Sequence, residues 1–227
     1  MSQPDYFKVL APLLHMKDAV IIEVGAYDGK HTQRLYDILP SSPAFYGCFE
    51  ADPRHARKVA MAVERLPNMH FMPLAVGEEM GKREFFQSQG KKPNTYMGSS
   101  SLCKPTRHKE CFPDCEFLPP IEVGCTTIDS FCKTARVDHI DLLWADIQGA
   151  EPLLLEGAKK MLPFTQYLLL EVDQQPLYEG SWTKADFETF LQAFGHWEIV
   201  HEFEWDILWR NLRYEANCQH EKKGGRK

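Results

Sequence analysis

A chain of 227 residues can bury one sizeable hydrophobic core, and domains commonly run to about 100–200 residues, so a single domain spanning 1–227 is expected. Hydrophobic residues make up 44% and charged residues 26%, which excludes a disordered or collagen-like chain, and apolar runs such as Ala19-Val20-Ile21-Ile22 have core-strand length, not membrane-helix length. A net charge of −6 argues against a broad face for duplex nucleic acid, so neither a nucleic-acid nor a membrane partner is expected. Met1 to Asp5 lacks a basic region followed by an apolar stretch, so no secretory signal is expected. Seven cysteines (48, 103, 111, 115, 125, 132 and 218) form an odd, scattered set that suits the reduced thiols of a cytoplasmic protein.

Ala19 to Val24 reads as a strand ending in Gly25, followed by a polar turn and a helix over 32–39. Phe45 to Glu50 is a second strand, Pro53 to Leu66 a helix, and Met69 to Ala75 a third strand. Residues 81–120 break the alternation. They hold five of the fifteen prolines and seven Lys/Arg against four Asp/Glu, a net of +3 that leaves −9 for the rest, and read as a loop-rich insertion with one edge strand at Arg83 to Phe86.

The pattern then resumes with a strand over Ile140 to Trp144, a helix over Pro152 to Met161 and a strand over Tyr167 to Val172. Thr183 opens an amphipathic helix over Lys184 to Phe194, and Trp182, Phe187, Phe190, Phe194 and Trp197 read as core packing. Trp197 to Phe203 and Asp206 to Trp209 leave no room for an intervening helix and so form an antiparallel hairpin. The expected architecture is α/β: a doubly wound, mixed sheet with helices on both faces. Residues 221–227 read as a frayed polar terminus.

Three acids fall at strand ends. Glu23-Val24-Gly25-Ala26-Tyr27-Asp28-Gly29 puts glycines and carboxylates where a strand hands over to a helix, without the Lys-Ser/Thr of a phosphate loop or the third glycine of a dinucleotide fingerprint. Glu50 follows Gly25 by 25 residues, close to the ~20 at which an acid in such sheets binds a ribose hydroxyl pair. Asp146 ends the fourth strand beside the first loop, so Asp28, Glu50 and Asp146 can line one cleft at the sheet's carboxyl edge, suited to an adenosine-type ligand. Each acid has an ordinary alternative, as a turn residue, an exposed strand end or a helix cap.

These segments resemble the FkbM-type class I S-adenosylmethionine-dependent methyltransferases. The resemblance rests on Val20 to Thr32, Phe49-Glu50-Ala51-Asp52-Pro53, Ala75-Val76-Gly77, Ser99-Ser100-Ser101-Leu102, Thr127-Ile128-Asp129 and, above all, Asp138 to Gly157. It implies a Rossmann-like, seven-stranded, mostly parallel sheet whose last strand is antiparallel. It further implies that Glu23, Gly25, Ala26 and Asp28 cradle the cofactor's methionine part with His31 and Thr32 nearby. Glu50 then holds the ribose, Ala51, Ala75 and Val76 flank adenine, and Asp146 closes the methionine end. Gln148 stands where the family usually has Glu, and Ala145 where Lys often precedes the Asp.

The expected reaction is methyl transfer to a hydroxyl of a sugar or other small molecule, with Asp146 or His108 as base and Glu171 or Asp173 as second choices. Asp146 and Asp173 are candidates to share a divalent ion. Cys103, His108, Cys111 and Cys115 are candidate zinc ligands. Lys104, Arg107, His108 and Lys109 could hold an anionic acceptor. Two other readings stand beside this one: a nicotinamide-dependent oxidoreductase on the same sheet, and a cofactor-binding interaction module without catalysis, suggested by Gln148 and Ala145.

Overall fold

The computed structural model describes residues 5–92 and 98–224, with the side chains of 220–224 left aside. A short helix α1 (Tyr6–Leu10) precedes β1 (Val20–Val24), whose five residues are all buried. Helix α2 (Lys30–Ile38), β2 (Phe45–Phe49), α3 (Pro53–Val63) and β3 (Met69–Met72) follow. Pro53 suits the first turn of α3, where its missing N–H costs nothing, and the Asp52 side chain caps that turn by accepting from the Arg54 amide. The third strand expected over 69–75 is broken at Pro73: β4 (Ala75–Val76) belongs to a separate sheet.

Residues 81–120 carry more regular structure than their composition suggests. They contain β5 (Gly81–Phe85), β6 (Ser88–Gly90), a one-turn α4 (His108–Cys111) and β7 (Cys115–Phe117). Strand β8 (Ile121–Thr126) joins β4 and β5 in a three-stranded sheet, and β6 pairs with β7. Helix α5 (Ile128–Ala135) is capped by Thr127, whose hydroxyl accepts from Ser130.

The main alternation then returns with β9 (Ile140–Ala145), α6 (Glu151–Glu156), β10 (Thr165–Glu171), α7 (Lys184–Leu191), β11 (Trp197–Glu202) and β12 (Asp206–Asn211). Helix α6 is shorter than expected, stopping before Gly157, and α7 opens on a capping box between Thr183 and Asp186. Residues 221–224, expected to fray, lie in the last turn of α8 (Tyr214–Gly224).

The seven-stranded sheet runs β11-β12-β10-β9-β1-β2-β3. All pairs from β10 to β3 are parallel, and β12 is antiparallel to both neighbours. Alternation along the strands divides the core in two. Ile21, Tyr46, Leu142, Trp144 and Leu169 face α1, α2 and α3, burying Phe7, Leu10, Leu35 and Val59. Ile22, Phe49, Leu143, Leu170 and Trp209 face α5, α6 and α7, burying Ile128, Leu154, Leu155 and Phe187. Trp182, Phe190, Phe194 and Trp197 pack against this second core. No helix among the described residues is long and apolar enough to cross a membrane.

Candidate active site

Strand register brings the acids level. Val24 pairs with Phe49 on one side and Ala145 on the other, and Ala145 pairs with Leu170. The next residues along these strands are Glu50, Gly25, Asp146 and Glu171, and Glu171 pairs in turn with Asp206 at the start of β12. One line thus crosses five strands at the carboxyl edge of the sheet, where open α/β sheets place their ligands.

Gly25 is the narrow point of that line. Its φ is +91°, and a Cβ there would stand 2.0 Å from the Asp146 carbonyl oxygen, so only glycine admits this crossing. Main-chain bonds fix the junction: the Gly25 and Ala26 amides both donate to Phe49 O at 3.0 Å, and Asp146 N–H donates to Val24 O at 3.1 Å.

A cleft with about 650 Å³ of empty space, open mouth included, lies above this junction. Among the described residues it is lined by Gly25, Glu50, Ala51, Ala75, Val76 and Asp146 from the sequence-derived set. Apolar walls come from Phe49, Leu74, Phe85 and Leu102.

Glu50 is held by two backbone donors: Tyr27 N–H to Oε2 and Asp52 N–H to Oε1, both at 2.7 Å. Burial nevertheless pushes its carboxyl up to about 7, with the Asp52 and Asp146 charges adding to the effect. Each oxygen keeps a lone pair for a further donor.

The other sequence-derived residues support the cleft from outside its lining. Glu23 is buried beneath Gly25, accepts from the Tyr46 hydroxyl at 2.7 Å, and is pushed up to about 7 by burial. Ala26 packs in the core of the α1–α3 face. Asp28 is partly desolvated, yet Lys30 at 2.6 Å holds it below its ordinary value. The His31 ring stacks on Trp144 at 5.5 Å and is lowered by burial. Thr32 is fully buried, 3.9 Å from Cys48 Sγ.

The structure does not bring His108 to the cleft. Its ring is buried among Phe112, Phe117 and Tyr178, at centroid distances of 4.8, 5.1 and 5.5 Å, and burial lowers its pKa. Neither does the zinc set assemble: Cys111 is exposed, the Cys103 thiol donates to Gly149 O at 3.5 Å, and His108 is turned into its aromatic box. Among the described residues no three His, Cys, Asp or Glu side chains are grouped to hold a metal ion. Arg107 is engaged by Glu110, and no Lys or Arg is among the described lining residues, so the anion-binding expectation for this segment finds no counterpart in the cleft.

Sequence reasoning assigned no role in the cleft to several lining residues. Tyr27, at φ +51°, sets its ring 4.3 Å from that of His55. Asp52 gathers Arg54, Gln87 at 2.8 Å and Ser100 at 3.3 Å, pinning the 98–102 strip over the cleft. Burial disfavours its charge, but the Arg54 guanidinium outweighs that and holds Asp52 below the usual range. Gln148 enters the cleft at φ +59°, and its side-chain Nε2 donates to Asp146 Oδ1 at 3.0 Å and Glu171 Oε2 at 2.6 Å.

Comparison with known proteins agrees with this geometry. Residues 23–198 match the methyltransferase FkbM domain. The chain is 31% identical over 209 residues to the 2-O-methyltransferase NoeI of Sinorhizobium fredii, covering 90% of this chain and 84% of that protein. It shares its fold with the crystal structure of methyltransferase FkbM from Methylobacillus flagellatus, with a TM-score of 0.57 at 15% identity over 88% of this chain and 45% of that one. The nicotinamide reading is set aside, because strand order, cleft and motifs converge: the chain belongs to the FkbM family of class I S-adenosylmethionine-dependent methyltransferases.

Proposed function

We propose that this enzyme methylates a hydroxyl oxygen of a sugar or similar neutral small molecule. The observation that carries the reading is the combination, in one cleft, of Glu50, Asp146 and small apolar walls, with no Lys or Arg among the described lining residues. A carboxylate cleft favours hydroxyl donors over anionic acceptors. The family relative named as a 2-O-methyltransferase supports oxygen as the receiving atom.

The residues present suit the methyl donor. Glu50 has the acceptor capacity for two ribose hydroxyls, since its backbone donors occupy one lone pair on each oxygen. Ala51, Ala75 and Val76 leave a flat apolar slot for the base, and Asp146 provides negative charge for the cationic end. Glu23, below Gly25, stays outside the lining, and its burial disfavours the charged form. When bound, S-adenosylmethionine supplies an electrophilic methyl group, so the protein's task is alignment of the acceptor and acceptance of its proton. Gly25 brings the main chain against Asp146, and the Asp52 network holds the strip that closes the cleft. Gln148 leaves Asp146 and Glu171 in place rather than displacing them, which favours an active enzyme over a silent binding module.

Calorimetric titration with S-adenosylmethionine, S-adenosylhomocysteine and NAD tests the donor: the two sulfur compounds are expected to bind and NAD is not. Incubation with labelled donor and a panel of free monosaccharides and methyl glycosides tests the acceptor. Absence of S-adenosylhomocysteine binding would overturn the donor assignment, and transfer only to nitrogen or to anionic acceptors would overturn the acceptor class.

A further inference from the structure

Gln148 does something a carboxylate at that position cannot. Its side-chain nitrogen carries two hydrogens, and it contacts one oxygen each of Asp146 and Glu171. The amide orientation is consistent with its other contact, since Gln148 Oε1 lies 3.4 Å from the Tyr178 hydroxyl. The backbone is shaped for this: Gln148 and Gly149 both have positive φ, +59° and +85°, and a Cβ on Gly149 would meet Tyr178 and Ser181 within 2.9 Å. A Glu at 148 would set three carboxylates together, and one would have to keep a proton to bond the others. With Gln148, the amide supplies both donors and neither acid needs a proton to be held.

We infer that Glu171 is the group that accepts the proton of the acceptor hydroxyl, and that Gln148 is its positioning residue. The inference rests on the methyltransferase reading of the cleft. Glu171 stands in register one strand beyond Asp146, on the side away from Glu50 and just outside the described lining of the cleft, so an acceptor entering past Asp146 meets it there. It is only partly buried, and of the contacts described Gln148 occupies Oε2 and leaves Oε1 open. Asp146, by contrast, is itself a lining residue of the cleft, with its main-chain carbonyl against Gly25, and so stands nearer the donor side.

The charges facing Glu171 favour this role. Desolvation, then the carboxylates of Asp146, Glu151, Asp206 and Asp173, push it well above the ordinary range for a glutamate, and none of these five acids is ion-paired among the described residues. A base with raised pKa draws the proton more strongly as the hydroxyl is alkylated. In the step itself, the acceptor oxygen forms a bond to the methyl carbon and the carbon–sulfur bond breaks with its electron pair retained by sulfur. The hydroxyl proton passes to Glu171 Oε1, later to be lost to water.

Two measurements test this. Carboxyl-labelled glutamate NMR, with Glu171→Gln identifying the signal, is expected to show Glu171 titrating above the ordinary glutamate range and shifting further upward in Gln148→Glu. An ordinary midpoint, or one indifferent to residue 148, overturns the positioning claim. On whichever sugar of the panel the wild type methylates, Glu171→Gln is expected to lose about 10²–10⁴-fold in kcat while binding S-adenosylhomocysteine within about twofold of wild type. Gln148→Glu is expected to move the acidic limb of the pH–rate profile upward. Wild-type kcat in Glu171→Gln overturns the base assignment alone, whereas failure of the wild type to bind S-adenosylhomocysteine overturns the underlying donor assignment.

Discussion

Glu50 and Glu171 stand near opposite ends of the same line, and both are pushed upward by burial, yet they are held differently. Glu50 is fixed by two main-chain amides, from Tyr27 and Asp52, which cannot move without moving the loop after β1 or the start of α3. Glu171 is held by one side-chain amide, from Gln148. Main-chain donors make a rigid receptor for a ligand that must sit in one place; a side-chain amide tolerates the change of charge that proton transfer brings. On the proposed assignment, the acid held by the backbone binds the donor and the acid held by a side chain exchanges the proton.

The most severe way to break this division is at the junction between the two halves. Gly25→Ala places a methyl group where the Asp146 carbonyl stands and forces a non-glycine residue to φ +91°. It is expected to cost about 3 kcal/mol or more of stability, read by denaturant unfolding, and to abolish donor binding. A stable variant that binds normally would mean the crossing is looser than drawn.

A cleaner separation comes from Glu50→Gln, which turns one oxygen into an NH₂ facing a backbone N–H. Donor-product affinity is expected to fall by about 1.5–3 kcal/mol, roughly 10–100-fold, by calorimetry. The Glu171 titration is expected to stay where it is.

The pH dependence of stability sharpens the same contrast. Burial raises Glu23, Glu50 and Asp206 to about 7 and Glu151 to about 8. Folded values above the unfolded ones mean that the contribution is fully present below about 4, and is lost as pH rises through about 7–8. The ligand-free protein is therefore expected to melt a few degrees lower at pH 8.5 than at pH 5.5, equivalent to about 1–2 kcal/mol. A flat or rising Tm would show that these carboxylates are better solvated than the structure places them.

The smallest effect is expected from Tyr6→Phe, which removes the hydroxyl that donates to Asp206 at 2.7 Å. About 1 kcal/mol of stability should be lost in thermal unfolding with donor affinity unchanged, since Tyr6 serves the far end of the line.

The cleft residues proposed to hold the donor were legible in the sequence because they are written at strand ends. Gly25, Glu50 and Asp146 each close a short apolar run, and a run of that kind places its last residue at the sheet edge. On the acceptor side Glu171 could be named as a second-choice base, since it too ends an apolar run, but its surroundings were hidden because they depend on register between distant segments. Nothing local to Asp206 announces that it pairs with Glu171 or accepts from Tyr6, 200 residues away. His108 shows the opposite failure. Its basic neighbours made it look like a surface ligand, but the ring is enclosed by Phe112, Phe117 and, from 70 residues on, Tyr178. Strand β8 and helix α5 did leave a trace, in the alternating Ile121, Val123 and Cys125 and in the Thr127 cap, which the proline-rich stretch before them obscured.

Strand β12 runs against its neighbours, so it meets the carboxyl edge with its first residue rather than its last. The turn over 203–205 that feeds it lies beside the end of β10, where the Trp205 carbonyl accepts from the Val172 amide at 2.7 Å. The described lining of the cleft comes from segments up to residue 150, while this turn belongs to the tail of the chain. On the proposed assignment, changes in the turn are expected to act on the Glu171 end of the line and to leave the cleft lining untouched, so the two ends can vary independently.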